Sequence, residues 1–360
     1  VRAARGVALL LLLALAVSSP GHAADPRPVA DRAIGVAFDD LAHGDLTALA
    51  RRVRAAELTS VTLAIGRPDW LAYPSERGWR AEGVETDRVS QAMHVLGDDI
   101  RIGLTLDAFA PRMIAAAPGL AGMDENGDRS PLQASVAALA GEFGDRLIDI
   151  AAEAAERYEP DRLVITELTL DAAYGDDDLA RFARHSGRDD WPRRDGRIDT
   201  ADPAVAGWKV DELTDFVGRL AERLRPTRTA LIIDVDLDAA RPAVGATGRG
   251  QHIPRLLRVA DGVTLWAYDP DVDIPAVQDA IRAAGLPADR ITLSLGLWRD
   301  DGAADAAALG RLLWSASGAG VGSVHVTPSS LLGPSQWAVL ERWSTTQADA
   351  ARRQEGTPGP

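Results

Sequence analysis

The 360-residue sequence predicts an α/β fold, a single (β/α)8 TIM barrel with a long loop after strand 4. Three observations carry this. Short β-branched runs alternate with longer amphipathic stretches, the pattern of βα units on a parallel sheet. Eight such units fit into about 300 residues, against about 250 for the usual core of such a barrel. Each candidate strand has one bulky face and one small or polar face, as a strand between a helix ring and a barrel interior requires. An open doubly wound sheet is the main competitor. It would place a glycine-rich phosphate turn after its first strand, and Phe38-Asp39-Asp40-Leu41 is not one.

In chain order, residues 1–23 read as a secretory signal peptide. Arg2 and Arg5 precede an apolar run over 7–17, followed by Ser18-Ser19-Pro20 and by small Gly21 and Ala23 ahead of a cut before Ala24. The run is too short for a bilayer, which takes about 20 residues; an uncleaved anchor is the alternative. The expected location is therefore secreted, outside the cytoplasm, with no membrane span after cleavage. The barrel is expected over 24–346, with strands beginning near Ile34, Val61, Arg101, Leu163, Ala230, Val263, Ile291 and Ser323. Helical patterns cover 46–56, 131–158, 210–224, 275–284 and 303–317. Strand alternation sets Val61/Leu63/Ile65 against Thr62/Ala64/Gly66 and Leu231/Ile233/Val235 against Ile232/Asp234/Asp236. The stretch 171–209, rich in Asp, Arg, Gly and Pro, is long enough to be a lid or a binding wall. Residues 347–360 read as a disordered tail.

Composition removes several functions. Lys+Arg 39 against Asp+Glu 53 gives a formal charge of -14, which argues against nucleic acid or anionic lipid as the main partner. With Cys 0 there is no disulfide, thiolate nucleophile or zinc knuckle. No P-loop, GxSxG elbow or HExxH pair is present, and no cofactor or metal is expected. Asp124-Glu125-Asn126-Gly127-Asp128 falls short of a calcium loop and predicts a turn; Asp176-Asp177-Asp178 is the other all-carboxylate stretch.

The chemistry concentrates at strand ends. Ile165-Thr166-Glu167-Leu168-Thr169-Leu170-Asp171 closes the fourth strand, and alternation puts Glu167, Thr169 and Asp171 on one face. Asp234-Val235-Asp236-Leu237-Asp238 ends the fifth, while Asp39 and Asp107 end the first and third. Neighbouring strands lie about 4.8 Å apart, so carboxyls of the fourth and fifth strands reach roughly 5–7 Å of one another. Glycoside hydrolysis needs such a pair, one acid to protonate the leaving oxygen and one carboxylate to stabilise or activate at the sugar carbon. Both the retaining spacing, about 5–5.5 Å, and the inverting one, about 6.5–9.5 Å, stay open. Glu167, Asp171 and Asp234 are the catalytic candidates, with Asp39, Asp107 and Asp236 for substrate contact. Capping of the following helices is the competing role, above all for Asp39, Asp40 and Asp238.

Trp 9 outnumbers Tyr 4 and Phe 5, and indoles beside a polar pocket can stack on a sugar face. Trp266 and Tyr268 share the inner face of the sixth strand, Trp298 ends the seventh, and His325 shares the inner face of the eighth with Thr327. These are substrate-binding candidates, with a structural role as the alternative. Trp314, Trp337 and Trp343 lie on helical patterns and are expected in the core.

The stretch 165–219 resembles the glycosyl-hydrolase-like barrels of bacterial secreted and envelope proteins. The match is an acidic fourth-strand end, a helix beginning Leu179-Ala180-Arg181-Phe182, then Ser186-Gly187, Trp191-Pro192 and a helix led by Trp208-Lys209. The hydrolase-like C-terminal domain of exported poly-N-acetylglucosamine deacetylase is one such barrel. The resemblance implies action on, or binding of, an extracellular polysaccharide or oligosaccharide, with Glu167 and Asp171 catalytic. It departs from the pattern where Glu167 is followed by Leu168, and where the seventh strand ends Leu295-Gly296-Leu297-Trp298 without a glutamate. A non-catalytic glycan-binding barrel or envelope scaffold is the alternative to an enzyme.

Overall fold

The computed structural model describes residues 28–299 and 302–355. Eight parallel strands close on themselves: β1 Asp31–Val36, β2 Ser60–Arg67, β3 Arg101–Asp107, β4 Arg162–Thr166, β5 Ala230–Asp236, β6 Gly262–Ala267, β7 Ile291–Gly296 and β8 Ser323–Thr327. Each pairs with its sequence neighbours, and β8 pairs with β1 to complete the ring. The outer ring is α1 Leu46–Ala55, α2 Arg88–Leu96, α3 Glu142–Tyr158, α4 Pro203–Leu224, α5 Ile253–Val259, α6 Ile274–Ala283, α7 Ala306–Gly318 and α8 Pro334–Glu355. The expected (β/α)8 barrel is the observed fold.

Alternation explains the packing. Ile34, Leu63, Leu104 and Ile233 are each 0% exposed and face the helices. The inner face carries small residues because the barrel is narrow. A Cβ on Gly35 would sit 2.6 Å from Thr327 Oγ1 and 2.9 Å from His325 Nε2, so only glycine fits there. Much of the acidic excess starts helices: Asp45, Asp87, Asp202, Asp273 and Asp305 each accept a backbone N–H in the first turn of the helix that follows. The floor, at the N-terminal strand ends, is held by Asp31. Its carboxylate bonds Arg101 and Arg162, both at 2.8 Å, and Ser60 at 2.6 Å. Burial raises the pKa of Asp31, but the two guanidinium groups and Ser60 outweigh it and hold the carboxyl well below its usual range.

Several expectations change. The helix expected over 131–158 is a hairpin of Ala121–Met123 with Arg129–Ala134, a short turn Val136–Leu139, and only then α3. Helix α4 starts at Pro203 and takes in Trp208. Residues 347–355, expected as tail, continue α8; Gln347 Oε1 accepts from Val29 N at 3.0 Å. The remaining tail 356–360 and the signal segment 1–23 lie outside the described residues. Trp337 and Trp343 are buried as expected, whereas Trp314 is 42% exposed on the outer face of α7.

The stretch after β4 is a packed wall. It contains the helix Asp176–Ser186 and the hairpin Arg193–Arg194 with Arg197–Ile198. Tyr174, Phe182, Trp191 and Trp208 form its aromatic core, with Phe182 stacked on Trp191 at 4.7 Å between ring centroids. Asp178, 0% exposed, accepts from Ala137 N at 2.9 Å and pins the wall to the β3–α3 connection. Asp124 accepts from the amides of Asn126 and Asp128, the expected turn, at the tip of the hairpin beside it.

Candidate active site

The C-terminal ends of β3, β4 and β5 bring carboxylates together. Register puts Asp107 level with Thr166, and the neighbouring pair Ile233–Ile165 puts Asp234 at the same height on the other side. Glu167 follows directly. Its strand parity is that of the helix-facing Leu163 and Ile165, so a continued strand would aim it away from the interior. The chain instead turns left-handed there, with φ 55. Non-glycine residues seldom adopt that conformation, and it costs on the order of 1 kcal/mol. Strand pairing ends at Thr166, and Glu167 is electrostatically coupled to both Asp107 and Asp234.

Among the described residues none of these three carboxylates has an ion-pair partner. Burial pushes Asp107 up to about 7, against the Phe109 amide that bonds it at 2.8 Å and with the help of the Glu167 charge. Burial likewise pushes Asp234 up to about 6; Thr166, Trp266 and Thr264 partly oppose the rise, and Glu167 adds to it. Glu167 itself is raised by burial, with Arg249 opposing and Asp171 reinforcing. All three are shifted upward from the ordinary carboxyl range, the direction an acid catalyst needs.

Asp171 is different. Burial raises it, but Arg249 outweighs burial and the net shift is downward. Arg249 Nε lies 2.9 and 3.0 Å from its two oxygens, and Thr169 donates to it at 3.0 Å. The same guanidinium pairs with Asp236. Behind Asp171, Lys209 is 2% exposed, with Nζ 3.1 Å from Tyr174 Oη and 4.4 Å from its ring centre. Burial draws that amine down to about 8, with Asp171 the main opposing charge.

Beside the carboxylates the structure is aromatic. Trp266 and Tyr268 stack at 5.4 Å and 13°, and Trp298 stands 5.2 Å from Tyr268. The Tyr268 ring lies against Gly296, where a Cβ would come within 2.5 Å of Cδ1. Trp298 is 49% exposed. It lies in a short hairpin with Gly302–Ala303 beyond β7, rather than at the strand end where it was expected.

Other candidates fall elsewhere. Asp39 is exposed in the short helix Phe38–His43, and among the described residues no hydrogen bond or ion pair joins it to the carboxylates. Asp238 caps the turn after β5, accepting from Ala240 N at 3.0 Å and pairing with Arg241. His325 sits inside the barrel below the cleft, with Nδ1 3.2 Å from Ser294 Oγ. Sequence reasoning missed Arg249, although Gly248-Arg249-Gly250 in a strand–helix loop was a signal, with Gly250 at φ 86. Among the described residues no cluster of three or more His, Cys, Asp or Glu is arranged to hold a metal ion, and no helix is long and apolar enough to cross a membrane.

The chain superposes on the glycoside hydrolase domain of PgaB (BpsB) from Bordetella bronchiseptica with a TM-score of 0.68 at 16% identity, over 89% of this chain and 98% of that one. The two share the (β/α)8 barrel fold. The same barrel matches the GH42 β-galactosidase Gan42B of G. stearothermophilus with a TM-score of 0.63 at 12% identity, over 92% of this chain and 58% of that one. It also matches the spore cortex-lytic enzyme SleL of Bacillus cereus with a TM-score of 0.50 at 11% identity, over 87% and 74% of the two chains. No family model and no curated protein matches the sequence of this barrel.

Proposed function

We propose that the protein is an exported glycoside hydrolase that cuts a polysaccharide across the top of the barrel. One observation carries this reading. Three carboxyls from successive strands, Asp107, Glu167 and Asp234, have no ion-pair partner among the described residues and are each raised in pKa, beside a partly exposed aromatic wall.

Glu167 is the proton donor to the glycosidic oxygen. As the C–O bond breaks, positive charge grows on the sugar carbon and a neighbouring carboxylate stabilises it. Asp234, at about 6, is ionised in part near neutrality and suits that role or that of base. Asp171, kept ionised by Arg249, adds fixed negative charge at the wall. Water supplies the oxygen that ends on the sugar carbon, and its proton goes to the base. Trp266, Tyr268 and Trp298 support the sugar by stacking, and Asp107 and Asp236 lie where hydroxyl groups would be met. The resemblance to PgaB's hydrolase domain supports a polysaccharide as the substrate class.

The test is to incubate the protein and Glu167→Gln with bacterial polysaccharides, including fully and partly deacetylated poly-N-acetylglucosamine, and follow new reducing ends. Cleavage by the wild type alone is expected. Retention of glycan with no cleavage by either protein would replace the enzyme with a glycan-binding barrel.

A further inference from the structure

Below the carboxylates the barrel interior is polar and incompletely filled. A cavity of about 30 Å³ is lined by Thr62, Thr105, Thr264 and Thr292 together with Asp234 and His325. Asp234 Oδ1 and His325 Nε2 are both buried and, among the described residues, neither atom has a hydrogen-bond partner, although Thr166, Trp266 and Thr264 act on the Asp234 carboxyl as a whole. Buried polar atoms are bonded in the great majority of cases, to protein or to ordered water. A water needs on the order of 10–15 Å³ of such space, so the cavity has room for about two.

Arg162 and Thr292 also line a larger cavity of about 460 Å³ at the N-terminal face, together with Asp31, Arg101 and Ser323. Arg162, Ile232 and Thr292 thus stand between the two cavities as a shared wall, with Thr292 Oγ1 3.0 Å from Ser323 Oγ on the floor side.

We propose that a file of ordered water runs along the barrel axis from the floor cavity to Asp234, anchored by His325, and lets that carboxyl exchange protons with solvent while a glycan covers the cleft. His325 faces Arg162 from β4 and Asp31 from β1, with Asp234 across the cavity on β5. Burial, with Arg162 adding to it, pushes its pKa down to about 3, so the imidazole is neutral and can both donate and accept. From above, Asp234 meets Glu167 and Tyr268. His325 is thus a positioning residue that acts through water. The water file stands apart from the hydrolase reading; only its use during turnover rests on that reading.

Two measurements test it, and neither reads hydrolysis. A crystal structure of the full chain that resolves solvent should show water bonded to His325 Nε2 and to Asp234 Oδ1. A dry interior, or a direct protein bond to both atoms, overturns the proposal. Carbon-13 titration of the Asp234 carboxyl then compares the wild type with Thr292→Leu, which fills the cavity, and His325→Gln, which keeps a polar anchor. Thr292→Leu should raise the Asp234 midpoint by about one pH unit, because the carboxylate loses its water. His325→Gln should stay near the wild type. If Thr292→Leu does not fold, Thr292→Ile keeps the β-branch, puts an ethyl group where the hydroxyl was and should shift the midpoint the same way. An unchanged midpoint in the folded variant overturns the proposal, whereas a protein that cuts no glycan would sink the hydrolase reading alone.

Discussion

Arg249 grips Asp171 by both carboxylate oxygens, at 2.9 and 3.0 Å from a single nitrogen. It pairs with Asp236 as well, so one guanidinium ties the wall after β4 to the end of β5. It is also the cation that opposes the upward shift of Glu167.

Replacing Arg249 with Gln should therefore act on charge and fold together. The pair is partly exposed, with side chains 39% and 43% accessible, so solvent screening limits the loss to about 0.5–1 kcal/mol. The sign follows from the depressed carboxyl: Asp171 lends stability above its unfolded pKa and loses it as pH falls. The Tm deficit of the variant should be largest near neutrality and shrink in acid. A deficit independent of pH would mean that Arg249 acts by packing alone.

Glu167→Gln should lower turnover by about 10²–10⁴-fold, the usual scale for removing a general acid, and leave Tm near the wild type. Reducing-end release and a melting curve measure the two. A smaller loss would move the acid role to Asp107, the cleft carboxyl raised furthest, to about 7.

The fold was legible because the barrel depends on alternation, which sequence displays directly. Val61, Leu63 and Ile65 announce one face of β2 whatever their neighbours are. The site was legible in residue type and strand but less so in aim. Alternation treats Glu167 as a strand residue, whereas its φ 55 ends β4 and changes its direction. Asp39 looked equivalent to Asp107, yet one lies in a short helix and the other ends a strand. Arg249 escaped because Asp171 is 78 residues away and Asp236 is reached only through the folded-back loop that follows β5, and neither pairing leaves a periodic trace.

Asp107 gives a stability test with a definite sign. Its folded pKa, about 7, lies above the ordinary Asp value, so the folded state binds the extra proton and stability falls as pH rises between the two. Asp107→Asn removes that penalty. The variant should gain about 1–3 kcal/mol relative to the wild type on going from pH 4 to pH 8, as read by denaturant unfolding. Asp31 runs the other way, since its folded pKa is depressed and its contribution is lost on acidification. A uniform effect of Asp107→Asn across pH would contradict the assignment.

Trp298 offers a binding test with little structural cost, because it is 49% exposed. Trp298→Ala should raise KM about 3–10-fold, equivalent to losing about 0.5–1.5 kcal/mol of stacking, with kcat within about twofold. Stability should change by less than about 0.5 kcal/mol. An unchanged KM would place the glycan away from this indole.

On the proposed role of Glu167, its left-handed turn sets catalysis against stability at one backbone position. Glycine would relax that turn, and asparagine would adopt it more readily than glutamate does. Either replacement would therefore be expected to leave a barrel without that carboxyl that folds at least as well as the parent. Retention of the glutamate among descendants would have to be enforced by use, and a lineage released from that use would have an easy road to a protein that only holds its glycan.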